Sequence, residues 1–443
     1  MSRSFLRELL ESVWQCWCAS GSSEFTQIRC RMRRISKITR SILAQNAGRD
    51  FERLTMKLEL LRQDPFAFFR GTNPLFLDFL PRAHPVLRAP SIFVCGDLHL
   101  ENFGAFSGDN RLCYFDVNDF DDACRAPFTI DMVRFIAGIY LAAPGLELDR
   151  REAKRLVQQF VLAYRESIAD GKPRWLERTL AKGVFRALLR RAILRTRREL
   201  LDRYTILKGG RRRLRIDGKR ALELPAGEHK RLAKVLMRLR GSLPSPKPGP
   251  RFFQLLDAAR RVAGNGSLGL ERYVLLVHGP ASPDENFVLD LKFAAPSAVA
   301  TWLTAPQPKW PDDAIRVVSI QRIMQAISPA LLHAAKVRRR PFVLKELQPS
   351  IDRLDLRRWR ANPRRLRQAV EGMGRVAAWA HLRGCGQHGA ASVQVLQAYV
   401  RASRWSREAD KLGEVAAGRM KRAWQVYCKD YDAGAVDAAL TAP

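Results

Sequence analysis

Between residues 96 and 131 stand polar residues of the types and spacing that phosphoryl transfer uses. Asp97 and Asn102 are five residues apart at the end of a short apolar strand, Ile92 to Cys95, with His99 between them. Seventeen residues beyond Asn102 comes Asp119, in an acidic turn shared with Asp116, Asp121 and Asp122 and entered from a second strand, Leu112 to Val117. In this chemistry one carboxylate takes the proton of the attacking hydroxyl. An amide oxygen and a second carboxylate hold Mg2+, and a cation offsets the phosphate charge. Asp, Asn and Gly are also common turn formers, and many acidic clusters are only solvated loops. A metallophosphoesterase uses a Gly-Asp and a nearby His as well, but it wants an upstream Asp-x-His and a downstream Gly-Asn-His, and neither is present.

The motif Gly96-Asp97-Leu98-His99-Leu100-Glu101-Asn102 resembles the His-Gly-Asp-x-His-x-x-Asn loop of aminoglycoside phosphotransferase and choline kinase relatives. Asn118-Asp119-Phe120-Asp121-Asp122-Ala123 resembles their Ile-Asp-Phe-Asp-Asp-Ala metal loop. Ile130-Asp131-Met132-Val133, with Asp131 twelve residues after Asp119, corresponds to their Tyr-Asp-Leu-Ala. The whole chain, including Pro65-Phe-Ala-Phe-Phe-Arg-Gly71, also resembles the bacterial domain-of-unknown-function family 2252, which is grouped with protein-kinase-like folds on motif grounds. The resemblance implies that Asp97 is the base and that Asn102 and Asp119 are Mg2+ ligands. Asp116 is a rival ligand, because its spacing from Asn102 is closer to that of protein kinases. His99 holds the position where protein kinases put a phosphate-contacting lysine, and Asp131 is implied to be a buried brace for the catalytic-loop backbone.

A kinase-like enzyme also needs a nucleotide lobe, and too little chain of the right pattern precedes residue 96. The candidate lies downstream. Gly264-Asn265-Gly266-Ser267-Leu268-Gly269 fits Gly-x-Gly-x-x-Gly, the strand Tyr273 to Val277 follows it, and the strand Phe287 to Phe293 carries Lys292. Glycine loops let backbone amides approach phosphates, and a lysine on the third strand grips them. Gly264, Gly266, Ser267, Gly269 and Lys292 are therefore the expected nucleotide contacts. Lys345, on a later strand, competes with Lys292. The helix expected after Lys292, about 314 to 327, has no carboxylate to pair with that lysine, and only Asp312 and Asp313 precede it. A weakened lysine anchor favours a slow enzyme or a nucleotide-binding regulator without catalysis.

The resemblance implies an α+β, protein-kinase-like two-lobed fold with a helix-rich large lobe, and the order of the motifs implies a circular permutation that puts the catalytic loop before the nucleotide lobe. Near the end of the chain, Ala377 to Gly384 resembles the helix end that normally leads straight into the catalytic loop, and His381 within it reads as a packing residue. The expected divisions are 1–90, an N-terminal helical region with a basic cluster from Arg29 to Arg40; 91–170, the catalytic and metal loops; 171–260, a basic helical insertion with a hairpin turning at Gly209-Gly210; 261–349, the β-rich nucleotide lobe; and 350–443, helices completing the large lobe.

The 443 residues carry 77 Lys plus Arg against 44 Asp plus Glu, a net charge of +33, with an ordinary 47% hydrophobic content. Such a mixture folds, and its charge draws polyanions. The expected ligands are ATP or another nucleoside triphosphate, Mg2+ and an unidentified hydroxyl acceptor, for which the charge favours an anion. Non-specific nucleic-acid binding by the 172–240 region is a further option, although its aromatic interleaving is sparse. The longest apolar run, Phe135 to Leu146, is short for a membrane span, the N-terminus shows no secretory pattern, and eight scattered cysteines form no Cys-x-x-Cys pair. The reading is a cytoplasmic protein with reduced cysteines.

Overall fold

A computed structural model of the chain describes residues 35–242, 251–280, 283–349, 352–360, 362–402 and 404–440. The helical reading of residues 1 to 34, including Arg29 to Arg34, lies outside the described residues. The chain forms two compact units, one of residues up to Ala47 together with those from Arg422, the other Gly48–Lys421. All candidate site residues belong to the second.

Several helices begin at a capping side chain. In chain order they are α1 (Lys37–Gln45), α2 (Phe51–Gln63), α3 (Pro65–Gly71), α4 (Asn73–Asp78), α5 (Thr129–Ala142), α6 (Arg150–Asp170), α7 (Gly183–Leu194) and α8 (Arg197–Tyr204). Then follow α9 (Glu228–Leu239), α10 (Ala298–Trp302), α11 (Asp313–Met324), α12 (Pro363–Arg383), α13 (Val393–Arg401), α14 (Arg404–Asp432) and α15 (Ala435–Leu440). Asp50 caps α2 and Asp312 caps α11, while Asp149 with Glu152 and Thr196 with Glu199 form capping boxes on α6 and α8. The stretch Thr129–Leu146, which includes α5, is long and apolar enough to cross a membrane, but 78% of it is buried inside the protein, so it serves as a core helix.

Three sheets matter for the site. Around the acidic motifs, β1 (Ser91–Val94) pairs with β4 (Cys124–Pro127), and β2 (Phe103–Ser107) with β3 (Cys113–Val117), which in turn pairs with β5 (Leu176–Glu177). A hairpin, β6 (Thr205–Lys208) and β7 (Arg211–Leu214), turns at Gly209-Gly210 as expected. The largest sheet has the order β12–β13–β11–β10–β9–β8, every neighbouring pair antiparallel. Its strands are β8 (Ala221–Leu222), β9 (Leu255–Arg261), β10 (Arg272–Val277), β11 (Phe287–Phe293), β12 (His333–Val337) and β13 (Arg340–Glu346).

The architecture is thus mixed α+β and rich in helix. Strands β10 and β11 read as apolar runs because the sheet is covered on both faces. Leu232 and Leu236 of α9 pack on Leu275, Leu289, Leu291, Phe342 and Leu344 of one face. Leu201 of α8 and Leu214 of β7 pack on Ala259, Val274, Leu276, Val288 and Leu347 of the other. The sheet therefore reaches back past residue 261 to β9 and β8, and the 171–260 segment supplies much of its cover. Nothing in Leu-Leu-Asp-Ala-Ala-Arg-Arg marks β9 as a strand; its pairing with β10 makes it one.

Candidate active site

The acidic loops are fixed largely by hydrogen bonds to their own backbone. Gly96 has φ +78°, and a Cβ there would stand 2.3 Å from the Asp122 carbonyl oxygen, so only glycine lets the two loops meet this closely. Asp131, buried at the start of α5, accepts from Cys95 N at 3.0 Å and Gly96 N at 2.9 Å, and His381 Nε2 lies 3.1 Å from the same carboxylate. Tyr164 Oη lies 2.9 Å from His381 Nδ1, which makes the ring a buried link between helices. Asn102 clasps both loops: its Nδ2 donates to Asp97 O and Asp119 O, each at 3.1 Å, and its Oδ1 accepts from Asp119 N at 2.7 Å. Arg316 of α11 binds the carbonyls of Asp121 and Ala123 at 2.9 and 2.6 Å, and Asp122 accepts from Asn73 at 2.6 Å and Ala298 N at 2.7 Å.

Asp97 is partly exposed and holds Arg134, whose Nε donates to Asp97 Oδ1 at 2.6 Å. That guanidinium is wholly buried, lies over the Phe69 ring at 3.8 Å, and donates to Phe69 O at 3.0 Å. Burial pushes the Asp97 carboxyl up to about 7, against the pull of Arg134. A carboxyl in that range exchanges a proton near neutrality, which suits a general base. His99 faces the interior. Its ring is edge-on to Phe66, its Nδ1 accepts from Glu101 N at 3.1 Å, and its Nε2 is 4.0 Å from Asp97. Burial, with Arg70 and Arg134 nearby, holds its pKa well below the usual value, so the ring is neutral.

The second half of the site is a cationic sheet face. Antiparallel register sets Arg272 opposite Lys292 and Asp290 opposite Lys345, which puts all four side chains on one face. Asp290 is buried between Arg272 (Nε to Oδ1, 2.8 Å) and Arg261 (2.8 Å), which hold its carboxyl far below the usual range. Lys292 forms an ion pair with Asp121 and stands 3.5 Å from Asp119. Partial burial opposes ionisation of Asp119, but Lys292, Lys345 and Arg272 outweigh it and hold the carboxyl well below its ordinary value. Burial and the neighbouring Asp119 raise Asp121. Burial, with Lys292 and Arg272 adding to it, brings Lys345 down to about 8.

The glycine turn joins β9 to β10, the two strands before the lysine strand. Its carbonyls are taken by the segment at the start of α2. Arg49 donates to Gly266 O at 2.8 Å and Leu268 O at 2.7 Å, Lys57 to Gly266 O at 2.8 Å, and Asp50 N to Gly269 O at 2.9 Å. Gly264 has φ +80°, a left-handed conformation that suits glycine. None of the amides from Gly264 to Ser267 donates a hydrogen bond among the described residues. Such a run of free amides favours an anion.

Three cavities meet here. One of about 70 Å³ is lined by Asp119, Asp121, Arg272, Lys292, Lys345 and Arg353. Beside it, about 220 Å³ lies between the sheet and the α8–β7 cover, lined by Arg203, Arg215, Arg220, Arg261 and Arg272 with Tyr204 and Leu347. The largest of the three, about 720 Å³, borders Leu100 and Glu101 of the Asp97–Asn102 loop and has an apolar wall of Phe66, Leu141, Leu146, Val184, Leu188 and Trp359.

Of the expected residues, Asp119 and Lys292 meet, the glycine turn stands next to them, and Asp97 lies on the adjoining loop that Asn102 ties to Asp119. Asp131 braces the backbone at Cys95 and Gly96, where the Asp97 loop begins. Asp116 turns elsewhere: it is buried, 3.8 Å from Arg383, and burial raises it to about 6. Lys292 and Lys345, rivals in the sequence, share the face. Arg134, Asp121 as partner of Lys292, and the group Arg261, Arg272 and Asp290 were invisible to motif reasoning; only the Asp-Phe-Asp-Asp repeat hinted at Asp121. For Mg2+, the half-exposed Asp119 carboxylate is open to the cleft, while the Asn102 oxygen is engaged by Asp119 N. Among the described residues no three His, Cys, Asp or Glu side chains cluster to hold a metal by themselves. Mg2+ commonly needs only one or two carboxylates, with phosphates and waters completing its shell, and Asp119 fits that role.

No curated protein and no solved structure matches this chain. A family model does match residues 49–430, nearly the whole of the larger unit and the site within it, and so the chain belongs to the bacterial family described as an uncharacterized protein conserved in bacteria, the domain-of-unknown-function family 2252.

Proposed function

We propose that this protein is an ATP- and Mg2+-dependent phosphotransferase with a circularly permuted, kinase-like arrangement. The observation that carries this reading is the meeting of Asp119 with Lys292, Arg272 and Lys345 beside a glycine turn whose amides are unengaged. The order of parts agrees: glycine turn between two strands, lysine on the next, then, past the one-turn α10, helix α11. The permutation draws support from Phe93 N, which donates to Gly384 O at 3.1 Å. The end of α12 thus abuts the strand that opens the catalytic loop, although the chain does not join them.

In this reading the triphosphate lies beneath the glycine turn, gripped by Lys292 and Arg272, and the acceptor occupies the large cavity beside Leu100 and Glu101. The acceptor hydroxyl gives its proton to the Asp97 carboxylate. Its oxygen forms a bond to the γ-phosphorus as the bond from that phosphorus to the β–γ bridging oxygen breaks, and ADP leaves with that electron pair. Arg134 holds Asp97 in position. Mg2+, when bound, neutralises charge on the phosphate oxygens. The apolar wall suits an acceptor with an apolar body. Nucleic acid is a weaker fit, because many arginines of the basic segment are committed to neighbours, such as Arg212 to Asp284 and Asp202, and Arg195 to Asp352.

A second reading, a nucleotide-dependent regulator, is favoured by one observation: Lys292 is tied to Asp121 and the space beside it is only about 70 Å³. One set of measurements separates them. Millimolar Mg-ATP is expected to raise the melting temperature of the wild type, and the shift to vanish in Lys292→Ala and Asp119→Ala. No shift in the wild type sinks both readings. Consumption of ATP with an acceptor panel, lost in Asp97→Asn while the thermal shift remains, selects the enzyme; binding with no turnover selects the regulator.

A further inference from the structure

Arg353 lines all three cavities. Among the described residues its guanidinium makes no hydrogen bond and no ion pair. The backbone that carries it is fixed, since Arg353 pairs with Gly104 in an antiparallel bridge and Asp352 before it is gripped by Arg195 at 2.6 and 2.7 Å. Several of the surrounding arginines have their own acids, whereas Arg203 and Arg220, also without an acid among the described residues, line only the cavity under the α8–β7 cover. Arg70 holds Glu101 at 2.6 Å, Arg272 holds Asp290, and Arg357 holds Asp64 at 2.9 Å. Arg70 and Arg272 oppose the charge of Arg353, while Glu101 and Asp119 attract it from a distance without bonding it.

An arginine placed among like charges and left without a partner is stabilised by an anion at that point. A guanidinium fork matches the paired oxygens of a phosphoryl group. One side of Arg353 opens on the Asp119–Lys292 cleft and another on the large cavity beside the catalytic loop, so a group passing between the two meets it. We propose that Arg353 is the phosphoryl-binding cation at the junction of the nucleotide cleft and the acceptor cavity. The inference rests on the phosphotransferase reading and adds to it a residue outside every motif.

The test is calorimetric titration of the full chain with sodium tripolyphosphate at low salt. Wild type, Arg353→Ala, Arg353→Lys and the exposed hairpin variant Arg211→Ala are compared. Arg353→Ala is expected to bind at least tenfold more weakly, Arg353→Lys to lie between it and wild type, and Arg211→Ala to stay within twofold. Far-UV circular dichroism without ligand checks the fold of Arg353→Ala; if it does not fold, Arg353→Lys, which keeps the charge and loses the fork, decides. Wild-type affinity in that deciding variant overturns the role of Arg353 and leaves the phosphotransferase reading standing. Failure of the wild type itself to bind tripolyphosphate overturns both.

Discussion

The two halves of the site are built in opposite ways. The acidic half lies within 97–131 and is held mostly by bonds to its own backbone: Asp131 to Cys95 N and Gly96 N, Asn102 to Asp97 O and Asp119 N. The basic half draws Arg261, Arg272, Lys292 and Lys345 from four strands and is held by strand register. Short-range hydrogen bonding demands particular residue types at fixed spacing, so it leaves a motif. Register demands only that strands pair, and cations collected that way leave none. Each half also stabilises the charge of the other, since Asp119 and Asp121 sustain Lys292 amid its like-charged neighbours.

The largest effect is expected from breaking the acidic half. Asp131→Ala removes the acceptor of two buried amides and the partner of His381, at a cost of about 3–5 kcal/mol. Urea unfolding measures it, and a loss below about 1 kcal/mol would show that the loop needs no brace. Next comes pH, which titrates one group from each half. If Asp97 is the proposed base, transfer should rise about tenfold per pH unit below about 7, because a base acts only once deprotonated. It should fall above about 8 as Lys345, on the same sheet face as Lys292 and Arg272, loses a charge that would help them hold the proposed triphosphate. Lys345→Met should lower transfer throughout and remove the alkaline limb while keeping the acid one, and a wild-type profile flat from pH 6 to 9 contradicts both assignments. The smallest effect sharpens the contact between the halves. Asp121→Asn frees Lys292, so tripolyphosphate should bind about three- to tenfold tighter; weaker binding would mean that Asp121 supports the cation cluster instead of competing for it.

Much of the acidic half was legible. Asp97, Asn102, Asp119 and Asp131 were singled out from spacing and resemblance, and the structure ties them into one loop system. Asp116 and Asp119 stood as rivals because both follow Asn102 at plausible distances. What separates them is direction: Asp116 sits on β3 and turns toward Arg383, whereas Asp119 lies past the strand and opens to the cleft. The α+β class and most strands were readable from apolar runs. Strand β9 was not, since Asp257, Arg260 and Arg261 disguise it, nor was the role of α8 and β7 as cover for the lysine face.

The sequence alone determined the local chemistry: a glycine where two loops nearly touch, an amide and carboxylates at the spacing that clasps them, a glycine turn between strands. These depend on the first few ångströms around each backbone group, and composition at fixed spacing encodes them. Only the tertiary structure decided which charges meet. Lys292 meets Asp121 instead of an acid on α11, Lys292 and Lys345 are partners in one face instead of rivals, and Arg353 stands unpaired where three cavities join. Coulombic pairing acts across space and is indifferent to separation along the chain, so no spacing rule announces it.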